Sequence, residues 1–133
     1  MEKLFKIYAR AAIFNEKNEV LVIKKNADQK YGGWKLILPW WTLEFWEEIE
    51  DTVIREIKEE INLDVNSLQF LDVKKLILWN EHWIWFYYFA NCDNLADLQN
   101  MEPEKHEFCK LIPVDEIDNY GEMIHKDVIN LWL

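Results

Sequence analysis

The spacing of apolar residues changes along the chain, and each change marks an element. From Leu4 to Phe14, Ile, Tyr, Ala and Phe mix with Lys and Arg, which predicts a strand. Asn15-Glu16-Lys17-Asn18 supplies a turn, and Val20 to Ile23 a second strand. Tyr31-Gly32-Gly33 predicts another turn, followed by a short strand from Trp34 to Leu38 that Pro39 stops. From Glu48 to Ile61 the period becomes helical. Ile49, Val53, Ile57 and Ile61 recur every four residues as one apolar stripe, with Glu, Lys and Arg on the remaining faces. Val65 to Leu78 and His82 to Asn91 read as two long strands around a turn at Asn80-Glu81. Lys110 to Val114 predicts a last strand, and Glu122 to Leu131 a C-terminal helix. Strands, one helix, strands, one helix: this order predicts an α/β sandwich with a mixed sheet, not a βαβ repeat. No linker, low-complexity tract or internal repeat divides residues 1–133, so one domain is expected.

Composition narrows the partners. Half of the 133 residues are apolar and 15% are aromatic, enough for a packed core and too many for disorder. The formal charge is -10, with 25 acids against 15 bases, so a nucleic-acid polymer would be repelled. A small anionic ligand remains compatible with that charge if metal ions screen the acids locally. Cys92 and Cys109 fit neither a paired metal spacing nor a disulfide framework. Lys3, Lys6 and Arg10 interrupt MEKLFKIYARAAIF, which lacks the apolar run of a signal peptide, and no stretch approaches membrane-span length. A cytoplasmic protein, away from membranes, is the expectation.

Glu56, Glu59 and Glu60 stand at i, i+3 and i+4 of the predicted helix. At about 100° per residue they project from one side, away from the isoleucine stripe. Three crowded carboxylates repel one another, and a hard divalent cation that takes oxygen ligands would offset the repulsion. Arg55 can pair with a carboxylate and hold it in register. Taken alone, Glu59 and Glu60 are better explained by a solvated acidic face. The wider spacing shifts that balance, because Glu47 precedes Arg55 by eight residues.

In that register the chain resembles the MutT/Nudix hydrolase family, whose pattern is G-x5-E-x7-R-E-U-x-E-E-x-G-U, with U a bulky aliphatic residue. Glu47, Arg55, Glu56, Ile57, Glu59, Glu60 and Leu63 match it, and Leu38-Pro39 with Thr42-Leu43-Glu44-Phe45 is similar to the segment that precedes it. The resemblance implies a Nudix-like α/β/α sandwich and magnesium, or manganese, at Glu56, Glu59 and Glu60 and at the backbone carbonyl of the Trp40 loop. It implies catalytic parts for Glu47, Arg55, Glu56, Glu59 and Glu102. Arg55 would fix Glu56, and Glu47 would ligate metal through water or brace the loop. Residues 80–91, with His82 ahead of an aromatic strand, resemble the sheet lining the family's substrate cleft. Glu102-Pro103-Glu104-Lys105-His106-Glu107 is similar to a segment in members that hydrolyse nucleoside triphosphates, although an acidic surface loop accounts for it equally well. The implied substrate is a small nucleotide, a nucleoside diphosphate linked to another group. A nucleoside triphosphate cleaved to monophosphate and pyrophosphate is the leading case. A monomer or a homodimer fits equally.

Four positions depart from the pattern. Trp40 and Trp41 occupy its Gly-Gly pair, Trp46 the glycine before Glu47, and Asn62 the glycine after the helix. Asn tolerates a left-handed helix C-cap. An indole at a position needing positive φ costs about 1–2 kcal/mol and crowds the metal loop. A Nudix-fold nucleotide-binding module with impaired or no catalysis is therefore the alternative. Aromatic packing suits Trp34, Trp83, Trp85 and Trp132, but not three tryptophans falling on three family glycines. UGA codons are read as glycine in some bacteria and as tryptophan in others, so a wrong decoding table would make this replacement selectively. Three glycines against eight tryptophans is the imbalance such an error produces, since glycine usage averages about 7%.

Overall fold

The computed structural model describes residues 2–28 and 35–120. Strands β1 (Leu4–Ala12), β2 (Glu19–Lys25), β3 (Leu36–Ile37) and β4 (Trp40–Thr42) precede helix α1 (Ile49–Ile61). Strands β5 (Val65–Leu78), β6 (Glu81–Cys92) and β7 (His106–Pro113) follow it. One sheet has the order β4-β1-β6-β5, and the other β3-β2-β7. β1 runs parallel to β6 and antiparallel to β4, so the larger sheet is mixed, as the element order predicts.

The isoleucine stripe positions α1. Val53, Ile57 and Ile61 are fully buried, and Ile49 packs at the margin of the same cluster. Their partners include Ala9 and Ala11 of β1, Leu21 and Ile23 of β2, and Tyr88 and Ala90 of β6. Each such aliphatic side chain contributes about 1.5–3 kcal/mol on burial. The opposite face of β1 and β6 joins a second cluster through Ala12, Trp85 and Tyr87, packed with Val20, Val22, Leu36 and Ile112 of the smaller sheet. The acids of α1 are thus held against a core that fixes the helix from below.

The sequence expectations differ from the structure in several places. β3 ends at Ile37, two residues before Pro39, and the chain re-enters a sheet directly after the proline as β4, pairing Trp40, Trp41 and Thr42 with Arg10, Ala9 and Tyr8. Pro39 lies between the two strands, where no ladder bond needs its missing N–H, and its carbonyl accepts from the Ala11 N–H at 2.9 Å. β7 starts at His106 rather than Lys110, because its polar first half is recruited by pairing with β2. The β5–β6 turn falls on Trp79-Asn80, one residue earlier than expected. The turn at Tyr31-Gly32-Gly33, Trp34 and the helix from Glu122 lie outside the described residues. After β7 the chain forms a 3-10 turn, Val114–Asn119, that buries Ile117. Among the described residues no helix is long and apolar enough to cross a membrane.

Candidate active site

The loop entering α1 is shaped by backbone bonds before any side chain acts. Leu43 N–H donates to the Ile7 carbonyl at 3.1 Å, and Glu47 N–H to the Glu44 carbonyl at 3.2 Å. That second bond closes a turn whose third residue, Trp46, has φ 74°. A positive φ at the third position of a turn is the type II signature and favours glycine. Trp46 is 95% exposed and its ring meets the likewise exposed Phe45 edge-on at 4.8 Å, so no burial in the core offsets the strain. Trp41 differs: it is a regular β4 residue with no positive φ, buried in the core beside α1. Its indole Nε1–H donates to Glu60 Oε2. Asn62 takes the left-handed C-cap (φ 64°, ψ 28°), with its N–H bonded to the Lys58 carbonyl at 3.1 Å.

Arg55 gathers three acids. Its Nε and Nη2 donate to Glu47 Oε2 and Oε1, each at 3.0 Å, and Thr52 Oγ1 donates to the same carboxylate at 2.7 Å. Its Nη1 reaches Glu59 Oε2 at 3.0 Å and Glu56 Oε1 at 3.2 Å. The bond from Arg55, then that from Thr52, holds the Glu47 carboxyl below the usual range, while the Arg55 guanidinium is held above its own. Glu47 thereby ties the loop to the helix.

Beside this fork lies a cavity of about 370 Å³, lined by Glu44, Glu56, Glu60 and Glu102 with Lys25, Lys105, Trp40, Trp41 and His106. Glu60 is 6% exposed. Burial pushes its carboxyl up to about 7; the Trp41 indole opposes the shift, and the nearby charges of Glu102 and Glu56 add to it. Burial also raises Glu56, where Arg55 opposes the shift and Glu59 and Glu102 reinforce it. Crowded carboxylates of this kind draw in a divalent cation, whose charge offsets their mutual repulsion. Lys105 Nζ stands 3.5 Å from Glu102. His106 Nε2 is 3.7 Å from Glu60, but burial lowers the imidazole pKa and leaves it neutral, so this contact is no ion pair at neutral pH.

The structure separates the residues named from sequence. Glu56, Glu60, Glu102 and Trp40 border the cavity. Glu47, Arg55 and Glu59 form the adjoining fork, and the Glu59 side chain is 56% exposed. Among the described residues, no three His, Cys, Asp or Glu side chains converge closely enough, as they stand, to hold an ion. Thr52, Lys25 and His106 had no role in the sequence reading, and Trp41 figured there only as a departure from a family glycine. Thr52 and the Trp41 indole secure Glu47 and Glu60, while Lys25 and His106 line the cavity from distant strands. No local motif marks Lys25. His106 lay within the Glu102–Glu107 segment without an assigned part. The cysteines are ordinary: both are free, and burial raises each thiol to about 11.

The model of the NUDIX domain matches residues 4–132. The chain belongs to the NUDIX domain family. Solved structures share the Nudix fold across almost the entire chain. The MutT NUDIX hydrolase from Burkholderia pseudomallei superposes with a TM-score of 0.82 at 24% identity, covering 98% of each chain. The MutT protein of Methanosarcina mazei Go1 gives 0.77 at 19% identity, covering 99% of this chain and 93% of that one. A curated relative, the 8-oxo-dGDP phosphatase NUDT18 of Danio rerio, is 32% identical over 80 residues, which is 60% of this chain. Those residues span 23% of that Nudix protein's length.

Proposed function

We propose that the chain is a magnesium-dependent hydrolase of nucleoside diphosphate derivatives, with a nucleoside triphosphate cleaved to monophosphate and pyrophosphate as the preferred reaction. One observation carries the reading. Glu56, Glu60 and Glu102 border one cavity, where the charge of Glu102 raises the proton affinity of both Glu56 and Glu60, and Glu56 adds to that of Glu60. Such a donor set suits a hard dication, with Glu59 and the Trp40 carbonyl as further oxygens at its edge. A bound magnesium or manganese ion would neutralise the diphosphate charge that builds during displacement. Manganese is the natural substitute.

The protein's own residues do the rest. Glu47 and Arg55 keep the loop and helix in register, so that Glu56 and Glu60 keep their aim. Glu102 or a carboxylate of the cluster takes the proton from the attacking water. The water oxygen bonds phosphorus as the bridging P–O bond breaks, and the leaving phosphate keeps that bridging electron pair. Lys25 and Lys105 supply positive charge within the same cavity, Lys105 beside Glu102. The partner is a small nucleotide, the working form a monomer or homodimer, and the location the cytoplasm.

A second reading has its own support. Trp41 occupies one oxygen of Glu60, and Trp46 strains the loop, as in a binding module with impaired catalysis. A nucleotide panel with magnesium, read by pyrophosphate and phosphate release, separates the two. Pyrophosphate release that Glu59→Gln with Glu60→Gln abolishes, without loss of fold, is the expected result. Ligand binding without turnover would select the binding module.

A further inference from the structure

Not one glycine occurs in residues 2–28 or 35–120, where average usage of about 7% would place roughly eight. Turns that need a positive φ must then be made by other residues. Among the described residues, four non-glycine positions have positive φ: Asn18, Trp46, Asn62 and Trp79. The asparagines suit that conformation, because a short polar side chain can hydrogen-bond locally. An indole has no such compensation. Its Cβ crowds the neighbouring carbonyl, a clash that glycine escapes.

The two tryptophans sit in two different turns, and each occupies the position that its turn reserves for glycine. Trp46 (φ 74°) is the third residue of the turn closed by Glu47 N–H on the Glu44 carbonyl at 3.2 Å, the glycine position of a type II turn. Trp79 (φ 55°) is the first residue of the two-residue loop that joins Leu78 of β5 to Glu81 of β6. Asn80 beside it does not share the positive φ. A positive φ at the first loop position alone is the type II′ pattern, which calls for glycine there. Both tryptophans are 95% exposed, so neither indole is kept for burial. Trp40, Trp41, Trp83 and Trp85 behave otherwise: they lie in β4 and β6, are buried or half-buried, and have no positive φ. Position 79 lies outside the family motif, so the mismatch there stands without any appeal to the family.

We infer that positions 46 and 79 are glycine in the native protein, their codons having been read as tryptophan. UGA, which lineages read as one residue or the other, is the codon that joins the two. Glycine at 46 would relax the turn that delivers Glu47 to Arg55, and glycine at 79 the hairpin between the two longest strands. Trp40 and Trp41, in regular strand conformation, gain nothing from glycine on this ground.

The gene gives the first test: UGA is expected at codons 46 and 79, and UGG at either overturns the inference. Mass spectrometry of peptides from the protein in its own cells should then find glycine at both positions, and tryptophan at either overturns it. The backbone argument is tested in the chain as written. Trp46→Gly and Trp79→Gly should each raise the melting temperature by about 2–4 °C, even against the extra freedom that glycine gives the unfolded chain. Trp46→Ala and Trp79→Ala also remove the indole but keep Cβ, and should melt close to the parent and below the glycine forms. Alanine matching glycine at both positions would show that φ is not what disfavours tryptophan there, and would overturn the inference.

Discussion

At the scale of single residues, Glu60 is where burial, charge and chemistry meet. Its carboxyl is raised from 4.5 to about 7, chiefly by burial. The sign of the pH effect follows. Between those values the folded protein holds a proton that the unfolded chain has released, so stability falls as pH rises through that window. The full contribution is present below the unfolded value and is gone above about 7; it is on the order of 3 kcal/mol at most. Metal binding needs the opposite state, because a ligand carboxyl must be deprotonated. Magnesium-dependent turnover should therefore climb as pH rises through about 7, while the melting temperature of the metal-free chain declines. Glu60→Gln should flatten the melting profile between pH 4.5 and 7. A metal-free melting temperature that rises across that interval would show that Glu60 is not the group assumed.

At the scale of elements, what could be read from sequence was what periodicity encodes. The four-residue recurrence of Ile49, Val53, Ile57 and Ile61 fixed both the helix and its buried face, and Val65–Leu78 came out with its observed ends. The carboxylate face of α1 followed from the same geometry, since residues opposite a buried stripe must face outward. Short elements escaped. β4 is three residues long and directly follows a proline, and its existence depends on pairing with β1, a distant stretch of chain (Arg10 with Trp40, Tyr8 with Thr42). The start of β7 likewise depends on β2. Glu59 shows the limit of angular reasoning. It shares a helical side with Glu56 and Glu60, yet Arg55 draws its carboxylate out of the cavity and into the fork. Spacing gives direction from the helix axis; neighbouring charges decide where the terminal oxygens rest.

At the scale of the whole molecule, the two sheets of the described residues and helix α1 bring distant residues to one cavity. Glu56 and Glu60 come from α1, Glu102 from the loop before β7, and Lys25 from the end of β2. No sequence window contains them all, which is why Lys25 had no reading before the fold was known. The central claim is that α1 and the loop before β7 present oxygen ligands to divalent ions, and a titration of Mn2+ into the metal-free chain tests it most directly. The parent chain should bind Mn2+, magnesium should compete for the same site, and Glu56→Gln with Glu60→Gln should weaken binding at least tenfold while the fold melts as a unit. Unchanged Mn2+ affinity in that folded double variant would contradict the account.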